Sequence, residues 1–168
     1  ISLTDKRSWF WDELPLPWIV VRLADLVKNN ALMQRVSSCG LHDFLGFDGK
    51  ILLSTVMEDE LLDELTPNDY LKMVGAIRPD ATMTPDSYTY LDDPLCLSWQ
   101  QTLKQAAFSC AFSELEIPVV GLIKGAIGKQ IAWSTEKAIE SGCESFALPS
   151  RELVKLGLFD GVLSAIMS

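Results

Sequence analysis

The residues best placed to do chemistry are Lys124, Asp86 with Tyr88, Ser54 with Thr55, and Ser150 with Arg151. Each follows a predicted strand, and parallel sheets carry their active sites at the carboxyl ends of their strands. Lys124 ends the apolar run Pro118–Ile123. An amine drawn partly out of water there suits Schiff-base or nucleophilic chemistry; the same side chain could instead reach the rim or pair with Asp86. Asp86 could act as a general base, accept hydrogen bonds from the edge of a bound heterocycle, or close an Asx-turn after Pro85. Tyr88 and Tyr90 could stack on a base or close over the core. His42 is the sole histidine, so no multi-histidine metal site exists, and Leu41–Phe44 reads as packing. The string Gly125-Ala126-Ile127-Gly128-Lys129 is one residue short of a phosphate loop, and Gln130 replaces the Ser/Thr. Backbone amides at that helix start could still bind an anion. Glu58-Asp59-Glu60 with Asp63-Glu64 reads as a solvated surface, and no motif calls for a metal or a cofactor.

The elements that must position these residues can be read along the chain. Trp9, Phe10, Trp11 and Trp18 crowd around Pro15 and Pro17, and such a density of aromatics needs burial against something larger. Residues 19–36 read as mostly helical, with Leu23, Leu26, Val27 and Leu32 on one face. Ile51–Val56 reads as a strand after the turn Asp48-Gly49. Thr66-Pro67-Asn68-Asp69 opens a helix with a threonine cap, proline at the first helical position and an early acid. Its apolar face is Tyr70, Leu71, Val74 and Ile77, and Pro79 ends it. Then come a strand over 81–84, a polar loop over 85–94, a helix over 96–113, a strand over 118–123, a helix over 128–141 closed by Gly142, a strand over 145–148, and a helix from about Ser150.

Strands alternating with helices of this length predict an α/β fold with a parallel sheet. The sheet is either open and doubly wound or a partial or shortened (β/α)8 TIM-barrel-like sheet. A complete barrel takes ~250 residues, so 168 would supply about half to two-thirds of one and leave two open edges. We read residues 1–168 as a single domain, with a helical and aromatic amino-terminal segment over 1–36 and successive βα units over 40–168.

Composition narrows the function classes. With 48% hydrophobic residues, 22% charged and a mean hydropathy of +0.18, the chain can build a core. No apolar run reaches the ~18 residues of a membrane span, and the start Ile1-Ser2-Leu3 shows no signal-peptide pattern. The net charge of −9 and pI near 4.5 argue against holding nucleic acid by bulk electrostatics. Cys39, Cys96, Cys110 and Cys143 are scattered with no CxxC pair, which points to four free thiols and a cytoplasmic location.

One string is more specific. Gly40-Leu41-His42-Asp43-Phe44-Leu45-Gly46-Phe47-Asp48-Gly49-Lys50-Ile51-Leu52 resembles the segment of tRNA-guanine transglycosylases that reads roughly G-L-H-x-F-M-G-W-x-x-P-I-L. The order of elements that follows is also similar, so the resemblance covers most of residues 40–155. It implies a (β/α)8 barrel that exchanges guanine in RNA for a 7-deazaguanine base. In that family a D-S-G-G-F-Q motif follows the P-I-L strand. Here Leu53-Ser54-Thr55-Val56-Met57 stands in its place, without the aspartate and both glycines. The later aspartate nucleophile and the cysteine-rich zinc site have no counterpart in these residues.

Asp86 stands where the family has a base-recognising aspartate, Lys124-Gly125 where it has a base-reading Gln-Gly, and Pro149-Ser150 where it has a Gly-rich loop. The resemblance therefore implies a pocket for a 7-deazaguanine base with Asp86, Tyr88, Gly125 and Ser150 on the substrate and Lys124 as the catalytic candidate. A degenerate branch fits better than an ordinary transglycosylase, for instance the transglycosylase-like part of archaeosine synthase or a non-catalytic partner subunit. Such a domain would reach tRNA through another domain or chain and would form a homo- or hetero-oligomer, with no membrane. A scaffold or dimerisation subunit built on Trp9, Trp11 and Trp18 is the alternative from another class. A lysine-dependent lyase or aldolase is the third, and borohydride trapping of a carbonyl substrate on Lys124 would single it out.

Overall fold

The computed structural model describes residues 3, 5, 9, 11, 13–56, 65–87, 93–148 and 159–167. It is an α/β protein that divides into two compact units, Ile1–Thr82 and Met83–Ser168.

The first unit begins with a correction. Where periodicity predicts a helix over 19–36, Trp18–Arg22 is a strand, β1, and two helices follow it, α1 (Leu23–Val27) and α2 (Asn30–Cys39). The β-branched run Ile19-Val20-Val21 is stiff at χ1 and suits a pleated surface better than a helix. Asn29 divides the two helices, its side chain accepting the Leu32 N–H at 3.0 Å as the cap of α2. Gly40, at φ 90°, turns the chain into the short α3 (Leu41–Leu45), which Gly46 closes in the left-handed region at φ 60°.

β2 (Lys50–Ser54) runs parallel to β1 in the register Trp18↔Lys50 to Arg22↔Ser54. The expected start of the next helix, α4 (Pro67–Ile77), is present in full. Thr66 Oγ1 accepts the Asp69 N–H while the Asp69 carboxylate accepts the Thr66 N–H, a reciprocal capping box. Tyr70, Val74 and Ile77 are its buried face. β3 (Ala81–Met83) pairs in parallel with β2 through Leu52↔Ala81 and Leu53↔Thr82. The alternation of β1 and β2 puts Ile19, Val21, Ile51 and Leu53 into a core shared with Leu26, Val36, Leu41 and Val74. The opposite face is open: Trp18 is 48% and Val20 59% exposed.

In the second unit α5 (Leu95–Phe112) packs on α6 (Gly128–Glu140), and α6 packs on α7 (Phe159–Met167). β4 (Val119–Leu122) pairs in parallel with β5 (Ser145–Ala147). Ile123, Ile131, Ala138 and Cys143 form a buried cluster, and burial pushes the Cys143 thiol pKa up. Gly142, at φ 84°, ends α6 as expected. Within each unit every strand pairing is parallel. No helix among the described residues is long and apolar enough to cross a membrane. The expected helix start at Ser150 lies outside the described residues.

Candidate functional site

Two of the expected residues meet at the strand ends of the second unit. Lys124 Nζ lies 2.9 Å from Asp86 Oδ1, and their side chains are only 12% and 14% exposed. Of the readings left open by the sequence, the pairing of Lys124 with Asp86 is the one observed. Asp86 Oδ1 also accepts the N–H of the next residue, Ser87, at 2.8 Å; an Asx-turn would take the N–H two residues on, at Tyr88, which lies outside the described residues.

Each partner is held from behind. Thr84, fully buried, donates its N–H to Val120 O at 3.0 Å. Its Oγ1 accepts the Leu122 N–H at 2.8 Å and Gln105 Nε2 at 3.1 Å. Two residues on, Asp86 is thereby fixed in register with β4, whose end carries Lys124. Ser87 Oγ donates to Gln101 O at 3.2 Å, fastening the same loop to α5.

The Lys124 side is tied to α6 at three points. The Lys124 N–H reaches Ser134 Oγ at 3.4 Å, and the Ala126 N–H donates to Gln130 Oε1 at 2.8 Å. Gly125 has no room for a side chain: a Cβ there would lie 2.8 Å from both Gln130 Cβ and Ile131 N. Gln130 is itself buried and donates Nε2–H to Ser98 Oγ on α5 at 2.7 Å. The amides expected to serve an anion at this helix start are thus partly occupied, since Gln130 takes the one on Ala126.

Chemically, the site offers a carboxylate acceptor and an ammonium donor side by side in a largely dry setting. Such a pair matches a ligand edge that presents donors next to an acceptor, as a lactam or amidine edge does. An amine used as a nucleophile must first lose its proton, and Asp86 is the acceptor in reach. On the neighbouring face of α5, Gln101 Oε1 and Gln105 Oε1 are buried acceptors without a hydrogen-bond partner. Among the described residues no group of three or more His, Cys, Asp or Glu could hold a metal ion.

Asp86, Lys124 and Gly125 are therefore brought together. Ser54 and Thr55 belong to the first unit, where Thr55 is fully buried. Tyr88, Tyr90, Ser150, Arg151 and the acidic stretch 58–64 lie outside the described residues. The sequence reading missed Thr84, Ser98, Gln105 and Gln130. A signal for two of these was present: Ser98 and Gln105 recur with Thr102 and Ser109 at helical spacing and mark a polar stripe that faces inward.

His42 does more than pack. Its Nε2 lies 2.8 Å from Asp80 Oδ2 and its Nδ1 2.9 Å from Phe47 O, at the amino ends of β2 and β3. Comparison with models of known protein families gave no match, and comparison with curated proteins gave none either.

Proposed function

We propose that this chain is a transglycosylase-like module of the 7-deazaguanine tRNA-modification pathway, with altered catalytic residues, that binds a 7-deazaguanine base through Asp86. The observation that carries this reading is the largely buried Asp86–Lys124 pair beside a side-chain-free Gly125 at the strand ends. A 7-deazaguanine presents an N1–H and a 2-amino group as parallel donors, with a carbonyl oxygen alongside. A carboxylate accepts the two donors and an ammonium donates to the carbonyl. Asp86 and Lys124 satisfy each other in the free protein, so the base enters by exchange rather than into bare charges. Lys124 is the candidate catalytic group, and Tyr88 and Ser150 are candidates for further base contacts.

The all-parallel pairings and the uncovered face of β1 support a partial (β/α)8 barrel completed by another domain or chain. That partner would also supply the contacts to tRNA. Titration calorimetry with 7-cyano-7-deazaguanine tests the reading: wild type binds and Asp86→Ala loses binding. An unchanged affinity in the variant removes the pocket assignment.

The exposed Trp18 and Val20 favour a second reading, a scaffold subunit whose partner covers this face. Trp11 no longer belongs to that surface, because it is buried against Phe47 in an edge-to-face contact at 5.7 Å. Native mass spectrometry separates the readings: an assembly that takes up the base supports the first, and one that ignores it supports the scaffold.

A further inference from the structure

We propose that His42 is a proton-operated latch: as an imidazolium it ties the turn after α3 to the amino ends of β2 and β3, and on losing its proton it releases that turn. Both ring nitrogens face atoms that only accept. Phe47 O is a carbonyl oxygen 2.9 Å from Nδ1, and Asp80 Oδ2, 2.8 Å from Nε2, already accepts the Ile51 N–H at 2.7 Å. A neutral imidazole has one N–H, so one of these contacts would set lone pair against lone pair. Only the doubly protonated ring donates to both. Between a carboxyl of ordinary pKa ~3.9 and an imidazole of ~6.5, the shared proton belongs on the ring.

The charged groups around the latch come from every element that meets there. Asp80 precedes β3, Asp43 lies on α3, and Lys50 opens β2. The Arg78 guanidinium lies over Gly40, just ahead of α3. The hydrogen bond to Phe47 holds the His42 pKa above its ordinary value, helped by the Asp80 carboxylate and the Asp43 charge, against a smaller opposing effect of burial. For a group whose folded pKa is raised, the stabilisation is complete below the unfolded value and is lost as pH rises through the folded one.

Release has somewhere to go. Phe47 packs edge-to-face on Trp11, Trp11 Nε1 donates to Leu45 O at 3.3 Å, and Trp9 stacks on Trp11 at 5.2 Å. Deprotonation thus loosens the aromatic layer over α3.

The sole histidine makes the test direct. In the intact chain carrying 15N-imidazole, NMR below the midpoint shows both nitrogens protonated and hydrogen-bonded, with a midpoint above ~6.5 that Asp80→Asn moves down. Across that midpoint the Phe47 amide, which donates to His42 O in the released turn, loses on the order of tenfold protection against hydrogen exchange, after correction for intrinsic pH dependence, as expected for one hydrogen bond. A midpoint at or below ~6.5, or Phe47 protection that ignores the midpoint, overturns the latch.

Discussion

Breaking the Asp86–Lys124 pair from one side leaves a charge stranded in a site with little water. Lys124→Met should therefore cost on the order of 3 kcal/mol in urea denaturation, with most of that recovered in the double variant Asp86→Leu/Lys124→Met. A double variant no more stable than the single would mean that neither side chain needs the other. The pair could be read in part from the sequence, because both residues sit at predicted strand ends and their pairing was one of three open roles for the lysine. The His42–Asp80 contact could not. Its members are 38 residues apart and meet only once β2 and β3 are in register. Burial pushes the Asp80 carboxyl up, but hydrogen bonds from Ile51 and His42 and the His42 and Lys50 charges outweigh it and leave the pKa below its ordinary value. The Asp80 contribution to stability is thus present above the unfolded carboxyl pKa and is lost as pH falls through the folded one. The first unit should be most stable between those acid and near-neutral limits, and thermal melts across pH would show a decline on both sides.

At the scale of elements, local signals were read well wherever they were strong. Thr66-Pro67 starts α4, Gly142 ends α6, and the strands at 50–54, 81–83 and 119–122 fall where β-rich runs predict them. Thr66→Ala should cost about 1 kcal/mol, read from the shift of the urea midpoint. β1 was missed because the leucine spacing that belongs to α1 and α2 was extended back over Ile19–Val21; register with β2 then decides in favour of a strand. The polar seam between α5 and α6 was missed because its logic lies in the partner loops rather than in the helix. Gln130→Ala strands the Ala126 N–H, at about 1–3 kcal/mol, while Ser98 Oγ loses one donor and keeps its hydrogen bond to Leu95 O. Gly125→Ala forces a methyl into the backbone of α6 and should cost roughly 1–3 kcal/mol while displacing Lys124. If either variant melts like wild type, the seam does not hold the loop.

For the whole molecule, charge sets a limit that the fold does not remove. At a net charge of −9 the chain has no general attraction for polyphosphate, so at about 0.15 M salt it should retain no tRNA on its own, whatever its affinity for the base. Gel-shift experiments with the chain alone would check this, and salt-resistant retention would show that it carries an RNA surface of its own. The distribution of apolar residues has another consequence. Along the first turns of α5, Leu95 and Leu103 face water at 56% and 54% exposure, while Ser98, Thr102 and Gln105 are buried. Tolerance to substitution on this helix therefore runs opposite to hydropathy. In a saturation library Leu95 and Leu103 would accept lysine, whereas leucine at Ser98 or Gln105 would be purged. A designer who ranked positions by greasiness would protect the wrong ones.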